Sequence, residues 1–413
     1  MTAVVTESTR ERVWQERWAE VTAQTGSPVL TAGSSSARGW KDALRGGFAR
    51  GELVRLAHGA YVPLDVWHSS ARWDREKLCA VAVARTRRVR PPVIAGSTAL
   101  ALHGLPLGRH LPHVELLGRG SGRARPAPRI EAYAAPDRSL RMITALQEEQ
   151  TSADPTEWGS STPAPKLLLP VRHRHRVPPD EDPERPTVVV PVVLSDGQVI
   201  GRVTVEALAP ALALGLKETV PSESLPVLDA LAWRGVDSAG VRLGPTPDPP
   251  TDVRLPLGSV APQSAADDVV QAAIAFSPTR SAGRRLGEAW NHASPLAESP
   301  GESVSRGMML QLGFELPELQ VTVSDAEGFV ARVDFLWRSR GIAGEFDGVG
   351  KYDVDAHASS ADRHRYLRRE QQRELRLQRV CSRVLHWSWA EARDPSRLRR
   401  LLDEAGVPRT DRR

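Results

Sequence analysis

Apolar residues change their spacing along the chain, and the changes divide it into elements. From Thr6 to Thr25, Val13, Trp14, Trp18, Val21 and Ala23 recur at helical spacing, which predicts an amphipathic helix. Ser36–Leu44 predicts a second helix with Ser35 or Ser36 as its cap. Leu53-Val54-Arg55-Leu56 and Ala60-Tyr61-Val62 then flank a turn at Ala57–Gly59 and predict a hairpin. Lys77–Arg88 reads as a helix, and 93–107 as a small-residue helix ended by Gly104 and Pro106. His103, just before that stop, is placed as a helix-end residue favoured by the dipole and not as a base. Val114–Leu117 and Val188–Leu194 predict strands, the second broken by Pro191 as at an edge or bulge. Helices are predicted at Glu206–Leu216 and Ser224–Arg234, the latter bearing Asp229 as an interhelical polar residue. Two more are predicted at about 264–276 and 279–291.

The C-terminal third has the most distinctive pattern. A helix starts at Glu302, carries Val304, Met308, Leu310 and Leu312, and stops at Gly313. Val321 and Val323 open a strand; Val333, Phe335 and Trp337 mark a second; Arg338–Gly341 turns the chain into a third, Ile342–Asp347. An arginine-rich helix at about 361–378 and a strand at Val380–Trp387 follow. Residues two apart on a strand share a face, so Glu345 and Asp347 point the same way. If the hairpin brings Asp334 onto that face, three carboxylates converge beside Lys351. Carboxylates so placed repel one another and attract a divalent cation, and oxygen-only ligands suit Mg²⁺ or Mn²⁺. Lys351 would steady a phosphate or a water. The alternative is a hairpin end whose acids are simply solvated.

Charge adds a second theme. The net charge is +5 with a pI near 9.5, and arginine supplies the excess. Such a balance suits nucleic acid, and a GC-rich genome would also produce it. Two helices followed by a hairpin fit a winged helix-turn-helix, with Arg38, Lys41, Arg45, Arg50 and Arg55 placed for DNA backbone. Between Asp362 and Arg379 seven arginines face three acids, and helical spacing aligns Arg365, Arg369, Arg373 and Arg376 as a phosphate cradle. The alternative for both groups is a solvated, ion-paired surface. Arg172–Arg176, an alternating Arg-His tract in the Pro- and Ser-rich stretch 145–187, is expected to be solvated. At 413 residues, with 40% hydrophobic and 25% charged residues, the chain can hold two or three cored domains. No run of eighteen apolar residues points to a membrane, and the N-terminus lacks a secretory leader's pattern. Cys79 and Cys381 alone argue for a reducing cytoplasm and against a zinc site.

Two resemblances follow from these residues. The run Gly51–Val62 resembles the wing of AbiEi-type antitoxins from type IV toxin–antitoxin systems, over about 10–65 and continuing through 71–107. It implies a domain that binds operator DNA and represses its own operon, with a cognate toxin as partner. Glu302, Asp334, Glu345-Phe346-Asp347-Gly348 and Glu370–Glu374, in their helix–strand–strand–helix–strand order, resemble the PD-(D/E)XK nuclease superfamily over about 285–405. The likeness is to its very-short-patch-repair-endonuclease-like branch. It implies a metal-dependent DNA endonuclease in which Asp334, Glu345 and Asp347 hold Mg²⁺ or Mn²⁺, Lys351 assists and Glu302 is an outer acid. The superfamily's lysine slot, two residues after the second acid, here holds Asp347.

The expected fold is thus α+β and multidomain: a winged helix-turn-helix (1–66), an antitoxin-like α/β region (67–144) and a linker or insertion (145–187). A helical connecting region (188–243), a linker (244–263), a restriction-endonuclease-like α/β domain (264–405) and a tail (406–413) complete it. The expected function is a cytoplasmic DNA-binding protein with an Mg-dependent endonuclease-like domain. The alternative is a catalytically inactive AbiEi-like autorepressor.

Overall fold

A computed structural model of the chain describes residues 7–86, 92–109, 111, 113–118, 171–176, 185–234, 263–348 and 360–410. It is a mixed α+β structure of helices and several small sheets. At the N-terminal end, α1 (Glu7–Thr25) and α2 (Trp40–Arg50) accompany β1 (Leu30–Thr31), β2 (Leu53–Ala57) and β3 (Ala60–Pro63), which pair in the order β1-β3-β2. Trp18, Leu30, Trp40, Leu44 and Leu53 form their core, the two indoles meeting edge-on with centroids 5.5 Å apart. The hairpin turns at His58–Gly59, where Gly59 has a φ of +75° that side chains avoid.

The second helix departs from expectation. It begins at Trp40, which is buried behind Gly39 at φ 76°, and runs through Gly46 and Gly47 to Arg50. A glycine pair reads as a break, yet here it serves packing: a Cβ on Gly47 would lie 2.8 Å from the Trp18 ring.

The middle comprises α3 (Leu64–Ser69), α4 (Arg72–Arg85), α5 (Gly96–Leu102), β4 (His113–Gly118), β5 (Val171–Arg176), β6 (Thr187–Val193) and β7 (Val199–Glu206). Helices α6 (Leu208–Gly215) and α7 (Pro221–Arg234) follow. β4 and β5 pair parallel, β6 and β7 antiparallel, and Ile94 bridges Leu116 on one ladder to Val205 on the other. Two expectations are corrected. The Arg172–Arg176 tract is a strand paired along β4, so its backbone is committed to a sheet. The helix expected from Glu206 starts at Leu208, because the buried Val203 and Val205, two apart on β7, carry the strand to Glu206. Helices α8 (Gln263–Ala275) and α9 (Arg280–Trp290) bury Ala266, Val270, Ala273 and Leu286 in the core shared by α4–α7. They pack with the middle, although sequence grouped them with the C-terminal unit.

That unit opens with α10 (Pro300–Leu312). Ser299 caps it, its Oγ accepting from the Glu302 N–H, and Gly313 ends it at φ 76°. β8 (Glu318–Asp325), β9 (Gly328–Trp337), β10 (Ile342–Phe346) and β11 (Arg383–Trp387) make a four-stranded sheet in the order β11-β10-β9-β8. The parallel β10–β11 pair needs a crossover, which includes α11 (Ser360–Val380). Short helices α12 (Trp389–Ala392) and α13 (Pro395–Ala405) close the chain. Val304, Met308 and Met309 of α10 pack with Phe335, Trp337 and Trp387; Leu377 of α11 joins Val333 and Ala343 in a separate cluster. The α7–α10 crossing is tight, since a Cβ on Gly307 would lie 2.5 Å from Pro221 backbone atoms. Among the described residues no helix is long and apolar enough to cross a membrane.

Candidate functional site

Five polar positions predicted from sequence are distributed over this unit. Glu302 stands in the first turn of α10, Asp334 on β9, Glu345 near the end of β10, and Asp347 just beyond it. Lys351 lies outside the described residues. The described contacts link Glu302 and Asp334 through Gln320, and Glu345 and Asp347 to Arg373 and His386.

The first group is Glu302, Asp334 and Gln320. The Gln320 amide Nε2 donates to Glu302 Oε2 at 2.9 Å and reaches Asp334 Oδ1 at 3.4 Å. The Phe346 N–H donates to Asp334 Oδ2 at 2.8 Å, which ties this carboxylate to the β10 backbone. Glu302 also accepts from Ser299 Oγ at 2.7 Å and from the Glu298 N–H at 3.0 Å, so it serves the helix cap as well. Burial, and then the nearby Asp334 charge, push its carboxyl up to about 7.

Gln320 was not foreseen, because one polar residue in an alternating strand carries no signal. Its φ is 53°, and it is the one non-glycine among the described residues with a positive value. The β8–β9 ladder pairs Leu319 with Phe335 and Val321 with Val333, skipping Gln320 opposite Asp334. Strained backbone thus aims the amide at two carboxylates. With Nε2 held there, Oε1 is a buried acceptor with no hydrogen bond among the described residues.

The second group is an alternation of charge. Glu345 is buried and accepts from Arg373 through both oxygens, at 2.7 and 2.9 Å. Arg373 also donates to Glu370 Oε1 through Nε at 2.9 Å. The β10–β11 register sets His386 beside Glu345. Its Nδ1 lies 3.6 Å from Asp347 Oδ2 and 3.9 Å from Glu345 Oε2, and its Nε2 lies 3.4 Å from Glu374 Oε2. The Asp347 carboxylate, with the charges of Glu345 and Glu374, outweighs partial burial and raises the imidazole above its ordinary range. His386 was also missed, although a histidine between Leu385 and Trp387 is a polar break in an apolar strand.

The donor chemistry of the four carboxylates suits a hard divalent cation. The arrangement does not. Among the described residues no three His, Cys, Asp or Glu side chains are gathered closely enough to hold an ion, and Glu345 spends both oxygens on Arg373.

The basic residues divide as well. Arg38, Lys41 and Arg45 are exposed at and before the start of α2, Arg45 only 3.5 Å from Asp42. Arg50 is clamped by Glu52 at 2.6 and 2.9 Å, and Arg55 lies over the Phe48 ring at 5.1 Å. On α11, Arg369 is exposed, the Arg365 side chain lies outside the described residues, and Arg376 forks onto Asp325 at 2.6 and 2.8 Å. Of the four arginines expected as a phosphate cradle, Arg373 and Arg376 are held by carboxylates within the unit. Asp229 is buried against Arg306 at 2.8 Å, and His103 is buried with Nε2 on the Glu206 carbonyl, so both are structural. No family model, curated protein or solved structure matches the chain.

Proposed function

We propose that the chain is a DNA-binding protein whose C-terminal unit is a metal-dependent endonuclease of PD-(D/E)XK type, guided by an N-terminal winged helix. The observation that carries this reading is the placement of Glu302 at a helix start, of Asp334 and Glu345 on two adjacent strands of a mixed sheet, and of Asp347 just beyond the second strand. A bound Mg²⁺ or Mn²⁺ would polarise a phosphodiester and activate a water. The PD-(D/E)XK resemblance would assign the ion to Asp334, Glu345 and Asp347, with Glu302 as outer acid and Lys351 toward the phosphate, although the described contacts do not gather these acids around one point. Gln320 orients Glu302 and Asp334. The exposed Arg38, Lys41 and Arg45 favour the DNA backbone, and the exposed Arg369 on α11 offers a further phosphate contact.

A second reading has its own observation. Glu345 is closed off by Arg373, and Asp347 stands where the superfamily has lysine. Both favour a unit without chemistry, in a chain that represses transcription and answers to a cognate toxin as an AbiEi-like antitoxin. Supercoiled and linear DNA, incubated with the protein and Mg²⁺ or Mn²⁺, separates the two. Nicking that disappears in Asp334→Ala and Glu345→Ala supports the nuclease. Retarded but intact DNA, unchanged by those substitutions, leaves the repressor.

A further inference from the structure

We propose that the end of the C-terminal sheet where β10 and β11 begin is a second DNA contact, at which Arg340, Arg379 and Arg383 hold the phosphate backbone. The inference rests on the DNA-binding reading above and adds a surface separate from that of α2.

Three segments far apart in sequence or separated by a turn meet there. Ile342 opens β10 opposite Arg383, the first residue of β11. The Ser382 N–H donates to the Gly341 carbonyl at 2.8 Å, and the Ser382 hydroxyl donates to the carbonyls of Arg340 and Gly341. Gly341 has a φ of 64°, and a Cβ on it would lie 2.8 Å from Ser382 Oγ, so the turn and the start of β11 are held backbone to backbone. Arg340 precedes this junction, Arg383 follows it, and Arg379 stands in the last turn of α11. All three are exposed. Cations on so fixed a support lose little backbone freedom when they bind.

Their charge is not spent inside the unit. Arg383 gives one N–H to the Glu404 carbonyl at 3.1 Å, and among the described residues none of the three is paired with a carboxylate. The helix bearing Glu404, α13, adds the exposed Arg399 and Arg400, likewise without a carboxylate among the described residues. Of the acids in the adjoining segments, Glu318 is held by Arg338 through two bonds of 2.7 Å, and Asp403 by Arg409 at 2.6 and 2.8 Å. Glu315 and Glu404 are left to face five arginines. A guanidinium in that state displaces a counterion when it meets a phosphate, which one already forked onto a carboxylate does far less. Glu345 and Asp347 lie at the other end of β10, about 15 Å away by the rise of a strand. That is well inside one turn of duplex, roughly 34 Å, so DNA lying along the strands passes both ends.

The test is binding of the full chain to a mixed-sequence DNA duplex, read by fluorescence anisotropy across a salt series. Arg340→Gln, Arg379→Gln and Arg383→Gln combined should weaken binding and flatten the plot of log binding constant against log salt by about 2–3. Arg338→Gln, in the same turn but already neutralised by Glu318, should leave that slope unchanged. A second reading needs no variant: phenylglyoxal modification of the unaltered protein, located by mass spectrometry. Saturating duplex should slow the labelling of Arg340, Arg379 and Arg383 severalfold. A triple variant with the full wild-type slope overturns this surface and keeps the DNA-binding reading. So does labelling of the three arginines indifferent to bound duplex. No salt-dependent binding by the wild type overturns both together.

Discussion

Glu302 titrates well above the range in which most carboxylates ionise, and that has a measurable sign. Its carboxyl is pushed from 4.5 to about 7 by burial first and by Asp334 second. In the unfolded chain it ionises near its ordinary value, so between the two values the folded protein binds more protons. Stability therefore falls as pH rises through this window and levels off above it. Glu302→Gln removes that fall: between pH 4.5 and 7.5 the wild type should lose on the order of 1–3 kcal/mol more than the variant in urea unfolding. Parallel curves would mean that Glu302 ionises as an ordinary carboxylate. His386 acts in the same direction by the opposite chemistry. Asp347 raises its folded value, so the stability it adds is complete below the ordinary histidine range and is lost as pH rises through the folded value. His386→Gln should flatten the neutral part of the wild-type curve and leave the acid part alone, which separates the two groups by window.

Elements meet most firmly where α7 crosses α10. Asp229 and Arg306 are both buried there, 2.8 Å apart, with Asp229 also accepting from the Ser294 N–H and Arg306 donating to the His292 carbonyl. Arg306→Ala leaves a buried carboxylate without its cation and should cost about 3–5 kcal/mol in chemical unfolding. Gly307→Ala should cost about 1–3 kcal/mol, because the Cβ meets Pro221 backbone, which cannot rotate away. A loss under a few tenths in either would show that the crossing yields. The spacing of apolar residues located α10 and β8–β11 closely, since each has one period and a glycine or turn at its end. It failed where another force set the outcome. Gly46 and Gly47 stay helical because Trp18 needs the room. The Arg172–Arg176 tract is a strand because β4 supplies its ladder, a partner far away in sequence. Spacing singled out the four acids and could not pair them. Which carboxylate meets Gln320, and which meets Arg373, depends on a positive φ and a crossover helix that no local pattern announces.

At the scale of the whole molecule, a net charge of +5 spread over 413 residues is too small to draw DNA to the surface at large. Affinity must come from local groups, and an arginine already paired to a carboxylate contributes little counterion release. Arg50 on Glu52, Arg373 on Glu345 and Arg376 on Asp325 are so paired. Arg38, Lys41 and Arg45 are exposed together around the start of α2, Arg45 beside the equally exposed Asp42, and on the DNA-binding reading proposed above they would be its electrostatic contact. Replacing all three by glutamine should lower affinity for duplexes of any sequence alike. It should also flatten the plot of log binding constant against log salt by up to about 3, near one unit for each phosphate that is no longer neutralised. Arg55→Gln, which removes a cation from the Phe48 ring, should lower the melting temperature and leave that slope in place. Gel retardation or fluorescence anisotropy across a salt series reads both. If the triple variant keeps the full slope, DNA docks elsewhere, and the exposed face of α11 around Arg368 and Arg369 becomes the surface to neutralise next.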